Sequence, residues 1–140
     1  MNEPIIILPL KPRDIPQVLE WGKREPAFMG FWSEDILHNF VEDGLSRGIY
    51  LEHREIIGFV LATYQPITHK LTWENAYVNR GYRGTDSALR AFEEVWGEAK
   101  KRGALFAESL VKAGHYSPER MLSRAGFTSQ GEFLWYHKTS

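Results

Sequence analysis

The stretch that decides the fold is Leu71-Thr72-Trp73-Glu74-Asn75-Ala76-Tyr77-Val78-Asn79-Arg80-Gly81-Tyr82-Arg83-Gly84-Thr85-Asp86-Ser87-Ala88. Its first half alternates. Leu71, Trp73, Asn75 and Tyr77 fall on one face and Thr72, Glu74, Ala76 and Val78 on the other, the period of a strand. A glycine- and arginine-bearing loop follows from Asn79 to Gly84. From about Asp86 to Arg102 the period is helical, with Leu89, Phe92, Trp96 and Ala99 on one stripe and Gly103 as the stop. In a strand–loop–helix of this kind, successive main-chain N–H groups and the helix N-terminus form a cradle for an anion. Gly81 and Gly84 permit close approach to the backbone. Arg80 and Arg83 supply charge-assisted contacts suited to phosphate. The same residues also read as a tight turn with arginines for solubility.

Working outward, Ile5-Ile6-Ile7-Leu8 before Pro9 predicts a buried strand. Pro12 and Asp14 open a helix carrying Ile15, Val18, Leu19 and Trp21. Ser33-Glu34-Asp35 opens a second helix that runs to Gly44. Ile49-Tyr50-Leu51 and Ile56 to Ala62 read as strands joined by a turn at His53-Arg54, and Pro66 closes the second. Beyond the deciding stretch come a strand from Leu105 to Val111, a short helix opened by Ser117-Pro118 and closed by Gly126, and a last strand from Gly131 to His137. The expected fold class is α/β: one mixed sheet in a single domain over residues 1–140, in the order β-α-α-β-β-β-α-β-α-β. Consecutive central strands predict an antiparallel meander, and the later strand–helix–strand order predicts a parallel pair.

Composition limits the function. The chain has 140 residues, 43% of them hydrophobic and 25% charged, so size scaling buries about two-thirds of its surface. Lysines and arginines number 17 against 18 acids, a net charge of −1, which argues against a nucleic-acid partner or an anionic membrane. The absence of cysteine excludes a disulfide scaffold, a thiolate metal site and a cysteine nucleophile. His38, His53, His69, His115 and His137 lack ligand spacing, so no metal is expected. Met1-Asn2-Glu3-Pro4 lacks a basic n-region and no apolar run approaches membrane length, so the expected location is cytoplasmic. Lys100-Lys101-Arg102 sits where a helix C-terminus favours cations.

The loop resembles the pyrophosphate loop of the GNAT superfamily of acyl-CoA-dependent N-acetyltransferases. Tyr82-Arg83-Gly84 follows Val78, and Arg83-x-x-Asp86-x-Ala88 stands where the family has Arg/Gln-x-x-Gly-x-Gly/Ala. Arg120 to Phe127 is similar to the family's short helix ending in Gly-Phe, and the element order agrees along the whole chain. The resemblance implies an N-acyltransferase that moves an acetyl or short acyl group from coenzyme A to an amine by direct transfer. It implies acetyl-CoA as co-substrate, held by Tyr77, Val78, Arg83, Gly84, Thr85, Asp86, Ser87 and Ala88. Main-chain N–H groups near Tyr77 and Val78 would take the acyl carbonyl and pantetheine. Glu74, read on the same face as Val78, is the candidate base; a solvent-facing strand glutamate is the other reading. Glu108 and Ser109 are weaker candidates.

Two positions depart from the family. Asp86 replaces a glycine, and its carboxylate would either repel the pyrophosphate by about 1–4 kcal/mol or cap the helix; Arg80, Arg83 and Arg90 would offset it. Leu122 stands where the family often has a tyrosine that protonates the thiolate, so Tyr116, with His115 beside it, is the candidate acid. These departures keep a second function open, a catalytically inactive GNAT-fold binding or structural protein. A third is an acyltransferase with an unusual donor or acceptor, such as a modified nucleobase. Phe28, Met29, Phe31 and Trp32 read either as acceptor pocket or as core. Phe133 to Tyr136 reads as a buried strand or as one paired across a homodimer.

Overall fold

A computed structural model describes residues 4–24, 33–52, 55–111 and 116–138. The His53-Arg54 turn, the Phe28–Trp32 cluster and His115 lie outside them. The chain divides into two compact units, Met1–Leu110 and Val111–Ser140.

In the first unit, β1 (Ile5–Pro9) leads through a 3-10 turn (Pro12–Asp14) into α1 (Ile15–Arg24). Helix α2 (Glu34–Asp43) starts where the sequence places it. Ser33 is extended and its Oγ accepts from Ile36 N–H at 3.3 Å, while Gly44 ends the helix in the left-handed region. Strands β2 (Arg47–Leu51), β3 (Ile56–Gln65) and β4 (Lys70–Val78) follow, then a 3-10 turn (Arg80–Tyr82), α3 (Ser87–Arg102) and β5 (Phe106–Ser109). The sheet runs β1-β2-β3-β4-β5. The β2–β3 and β3–β4 pairings are antiparallel, as the meander predicts; β1 also pairs antiparallel with β2, and β4–β5 is parallel across α3.

Each sheet face buries its own core. On one face α1 and α2 supply Ile15, Val18, Trp21, Leu37 and Phe40 against Phe59, Leu61 and Tyr77. On the other, α3 buries Ala88, Ala91, Phe92, Val95 and Ala99, and the Phe92 ring lies flat on Trp73 at 4.3 Å. Under β1, Tyr50 Oη donates to the buried Asp14 carboxylate at 2.6 Å. Loss of hydration and the neighbouring Asp14 charge push the Tyr50 phenol well above its ordinary range.

The second unit contains α4 (Tyr116–Arg124), followed by Gly126 at φ 93°. The strand expected from Gly131 to His137 is not formed. Phe133, Leu134, Trp135 and Tyr136 are each 74–84% exposed. Their composition suits a strand, but a strand also needs a neighbouring backbone to bond. Strand β5 is also shorter than expected, and Leu105 and Leu110 beyond its ends are exposed.

Candidate functional site

Strand β4 corrects the simple alternation at Glu74. Asn75 pairs with Leu61 and Trp73 with Ala62, so Glu74 is an extra residue with no partner on β3. Such a bulge moves every later side chain to the opposite face. Trp73 therefore stacks on Phe92 of α3, whereas Tyr77 lies 4.9 Å from Trp21 of α1. The faces read from the sequence hold up to Trp73 and exchange after it. Glu74 and Val78 do not share a face: the exposed Glu74 carboxylate meets Thr63 Oγ1 at 2.5 Å, and Thr63 lines a groove with α2.

The main-chain groups change sides as well. Leu105 N–H donates to the His69 carbonyl at 2.8 Å, so alternation turns His69, Leu71 and Trp73 toward β5. Beyond the bulge, Asn79 N–H donates to Ile57 at 2.7 Å. Asn75 and Tyr77 therefore serve β3, while Ala76 and Val78 turn theirs to the β5 side. Strand β5 ends its pairing at Ser109 opposite Trp73, and Ser109 Oγ closes that end with a 3.1 Å bond to the Trp73 carbonyl. Past this point the β5 side of β4 has no strand partner among the described residues. Val78 thus presents its amide on that side. The Tyr77 amide belongs to the ladder. Ala76 faces the gap too, and its N–H bonds the Asn75 side chain at 2.8 Å. No alternation rule finds Ala76, because a bulge leaves no mark in the period.

The loop turns sharply behind Val78. Asn79 Oδ1 accepts from Arg80 N–H at 3.0 Å and its carbonyl from Tyr82 N–H at 2.9 Å. Gly84 takes φ 88°, which favours glycine. Thr85 Oγ1 donates to the Tyr82 carbonyl at 3.0 Å and accepts from Ser87 N–H at 3.4 Å. Asp86 occupies the N-cap position without a side-chain cap bond, so Thr85 ties down the helix start. The N–H groups of Gly84, Thr85 and Ala88 meet no protein acceptor among the described residues. These are donors that a helix N-terminus can offer to an anion.

The arginines divide. Arg83 folds back over the strand end: its Nε donates to the Val78 carbonyl at 2.7 Å and its guanidinium lies 5.2 Å from the Tyr77 ring centre. Arg90 reaches the Ile5 carbonyl at 3.4 Å instead of the loop. Arg102 grips Asp43 through both carboxylate oxygens. Glu108 pairs with Lys70 at 3.7 Å, a structural role like that of Ser109. Tyr116 begins α4 in the second unit.

A groove of about 220 Å³ opens between α2 and β3, lined by Ile36, Asn39, Phe40, Asp43, Ala62, Thr63 and Tyr64. Through Thr63 it lies beside Glu74. No group of three or more histidines and acids among the described residues could hold a metal, and none of their helices is long and apolar enough to cross a membrane.

No protein-family model and no curated protein sequence matches the chain. Solved structures do. AAC(6')-Iy in complex with the bisubstrate analog CoA-S-monomethyl-acetylneamine is similar with a TM-score of 0.74 and 16% identity, over 98% of this chain and 99% of that one. The aminoglycoside 6'-N-acetyltransferase AAC(6')-Ih from Acinetobacter baumannii gives 0.72 and 14%, over 98% and 99%. The chain has the GNAT fold. A third relative in structure is the diaminobutyrate acetyltransferase EctA from Paenibacillus lautus, solved with L-2,4-diaminobutyric acid and coenzyme A. It gives 0.72 and 17%, over 88% of this chain and 75% of that one. The GNAT fold agrees with the order of elements read from the sequence as far as α4; the last expected strand is not formed.

Proposed function

We propose that the protein is an acyl-CoA-dependent N-acyltransferase, moving an acetyl or short acyl group from coenzyme A to the amine of a small molecule or protein. One observation carries this reading: β4 outruns β5, so Ala76 and Val78 have no strand partner on the β5 side among the described residues, and in the loop that follows, the amides of Gly84, Thr85 and Ala88 meet no protein acceptor among them. An extended amide chain can add to such an edge as a strand would, while its anionic end meets the loop. The coenzyme complexes of similarly folded proteins support the same reading.

In this reading the Val78 N–H donates to the thioester oxygen and stabilises the negative charge that develops as the amine attacks. Glu74, exposed at the bulge beside the α2–β3 groove, takes the amine proton. The acceptor enters from that groove. The carbon–sulfur bond breaks, an amide forms and the thiolate leaves. Its proton is assigned to Tyr116 on the sequence pattern alone. The loop residues Arg83 to Ala88 hold the diphosphate, with Asp86 as an opposing charge.

Asp86 and Leu122 favour a second reading, a non-catalytic binding protein on the same fold. Calorimetry with acetyl-CoA, followed by mass spectrometry of an amine and peptide panel, separates the two. Binding with acyl transfer that is lost in Glu74→Gln supports the enzyme. No binding at millimolar acetyl-CoA overturns it.

A further inference from the structure

Arg83 is oddly placed for a residue that only greets phosphate. Its side chain lies back along the end of β4, its Nε 2.7 Å from the Val78 carbonyl and its guanidinium against the Tyr77 ring. The Val78 carbonyl is one of the groups that β4 turns to the gap, so an amide chain docking there needs it as an acceptor. We propose that Arg83 is a latch that makes the gap conditional on an anion, and so selects diphosphate-bearing thioesters over shorter ones. The inference rests on the donor reading above.

The physical logic is a two-state equilibrium. With the latch shut, Arg83 covers the Val78 acceptor, and a ligand that carries only the amide tail must first displace it. A diphosphate at the loop offers the guanidinium bidentate, charge-assisted bonds, which are stronger than those to a carbonyl and a ring. Drawing Arg83 to the loop uncovers Val78. Anion and tail then bind cooperatively, and each raises the affinity of the other by the same factor. Arg83 is exposed and follows a 3-10 turn, with Gly84 at φ 88° behind it. It can swing without disturbing the core.

The test compares acetyl-CoA with S-acetylpantetheine, which keeps the amide tail and lacks phosphate, by calorimetry on the full chain. Arg83→Met should bind acetyl-CoA more weakly and S-acetylpantetheine about tenfold more tightly than wild type. In wild type, inorganic pyrophosphate should tighten S-acetylpantetheine binding by a similar factor, and in Arg83→Met it should not. Thermal melts of both proteins confirm that the variant folds. If acetyl-CoA binding falls while S-acetylpantetheine binding is unchanged or weaker, Arg83 is a plain phosphate ligand; the latch is overturned and the donor reading stands. Wild type that ignores pyrophosphate overturns the latch in the same way. Wild type that binds no acetyl-CoA overturns the donor reading and the latch together.

Discussion

Gly58→Ala tests whether the strand end is placed as tightly as the site requires. Gly58 faces Val78 across the β3–β4 ladder, in the pair type whose backbones approach most closely. A methyl group built there overlaps the Tyr77 carbonyl oxygen, sits 3.1 Å from Val78 Cα and lies 3.3 Å from Ile49 Cδ1. The oxygen and Cα are backbone, and Ile49 is fully buried, so none of them yields by turning a side chain into solvent. Restoring an ordinary carbon–oxygen contact moves β4 by about 1 Å. Overpacking of this kind costs about 1–3 kcal/mol, which lowers Tm by about 4–10 °C for a chain of this size. A displacement of about 1 Å at an attacking centre costs about 10²-fold in rate, and Val78 is where it falls. Differential scanning calorimetry, acetyl-CoA titration and transfer assays read the two effects. Gly97→Ala in α3 is the control: nothing lies within 4 Å of its added carbon, and better helix propensity should add about 0.4–1 kcal/mol. A Gly58→Ala protein that melts with wild type, or melts early with donor binding and transfer intact, would refute the reasoning.

Three further outcomes are expected. Glu74→Gln should keep the fold, since the side chain is exposed, and lower kcat by about 10²–10⁴-fold, the range for loss of a general base; steady-state kinetics beside a melt check it. Asp86→Asn should tighten acetyl-CoA about fivefold, read by calorimetry, by removing a like charge from the loop; weaker binding would give the carboxylate a positive role. Tyr50→Phe should cost about 1–3 kcal/mol by leaving the buried Asp14 carboxylate short of a donor. The Tyr50 phenol is raised in the folded state, so the stability it contributes is complete below its ordinary value near 10 and is lost as pH rises beyond it. Denaturant melts from pH 7 to 11 should show that alkaline loss in wild type and less of it in Tyr50→Phe.

Much of the molecule was legible in order and period. Ser33 and Gly44 bound α2 as hydroxyl and glycine caps should, Gly103 ends α3, and Pro66 follows the end of β3. The Asn79–Gly84 turn was visible because glycine and a break in alternation are local properties. The final strand was not: Phe133 to Tyr136 has strand composition, but no ladder forms over these residues.

The sequence by itself determined the order of elements through α4, the antiparallel meander, the α/β class and the turn after Asn79, because short-range sterics and hydrophobic period set these residue by residue. Only the tertiary structure decided that Glu74 bulges, that Trp73 and Tyr77 therefore part to opposite faces, that Ala76 and Val78 turn to the gap, and that Arg83 lies across it. Each of these depends on where a second strand begins and ends, and one residue of register between strands moves every group beyond it.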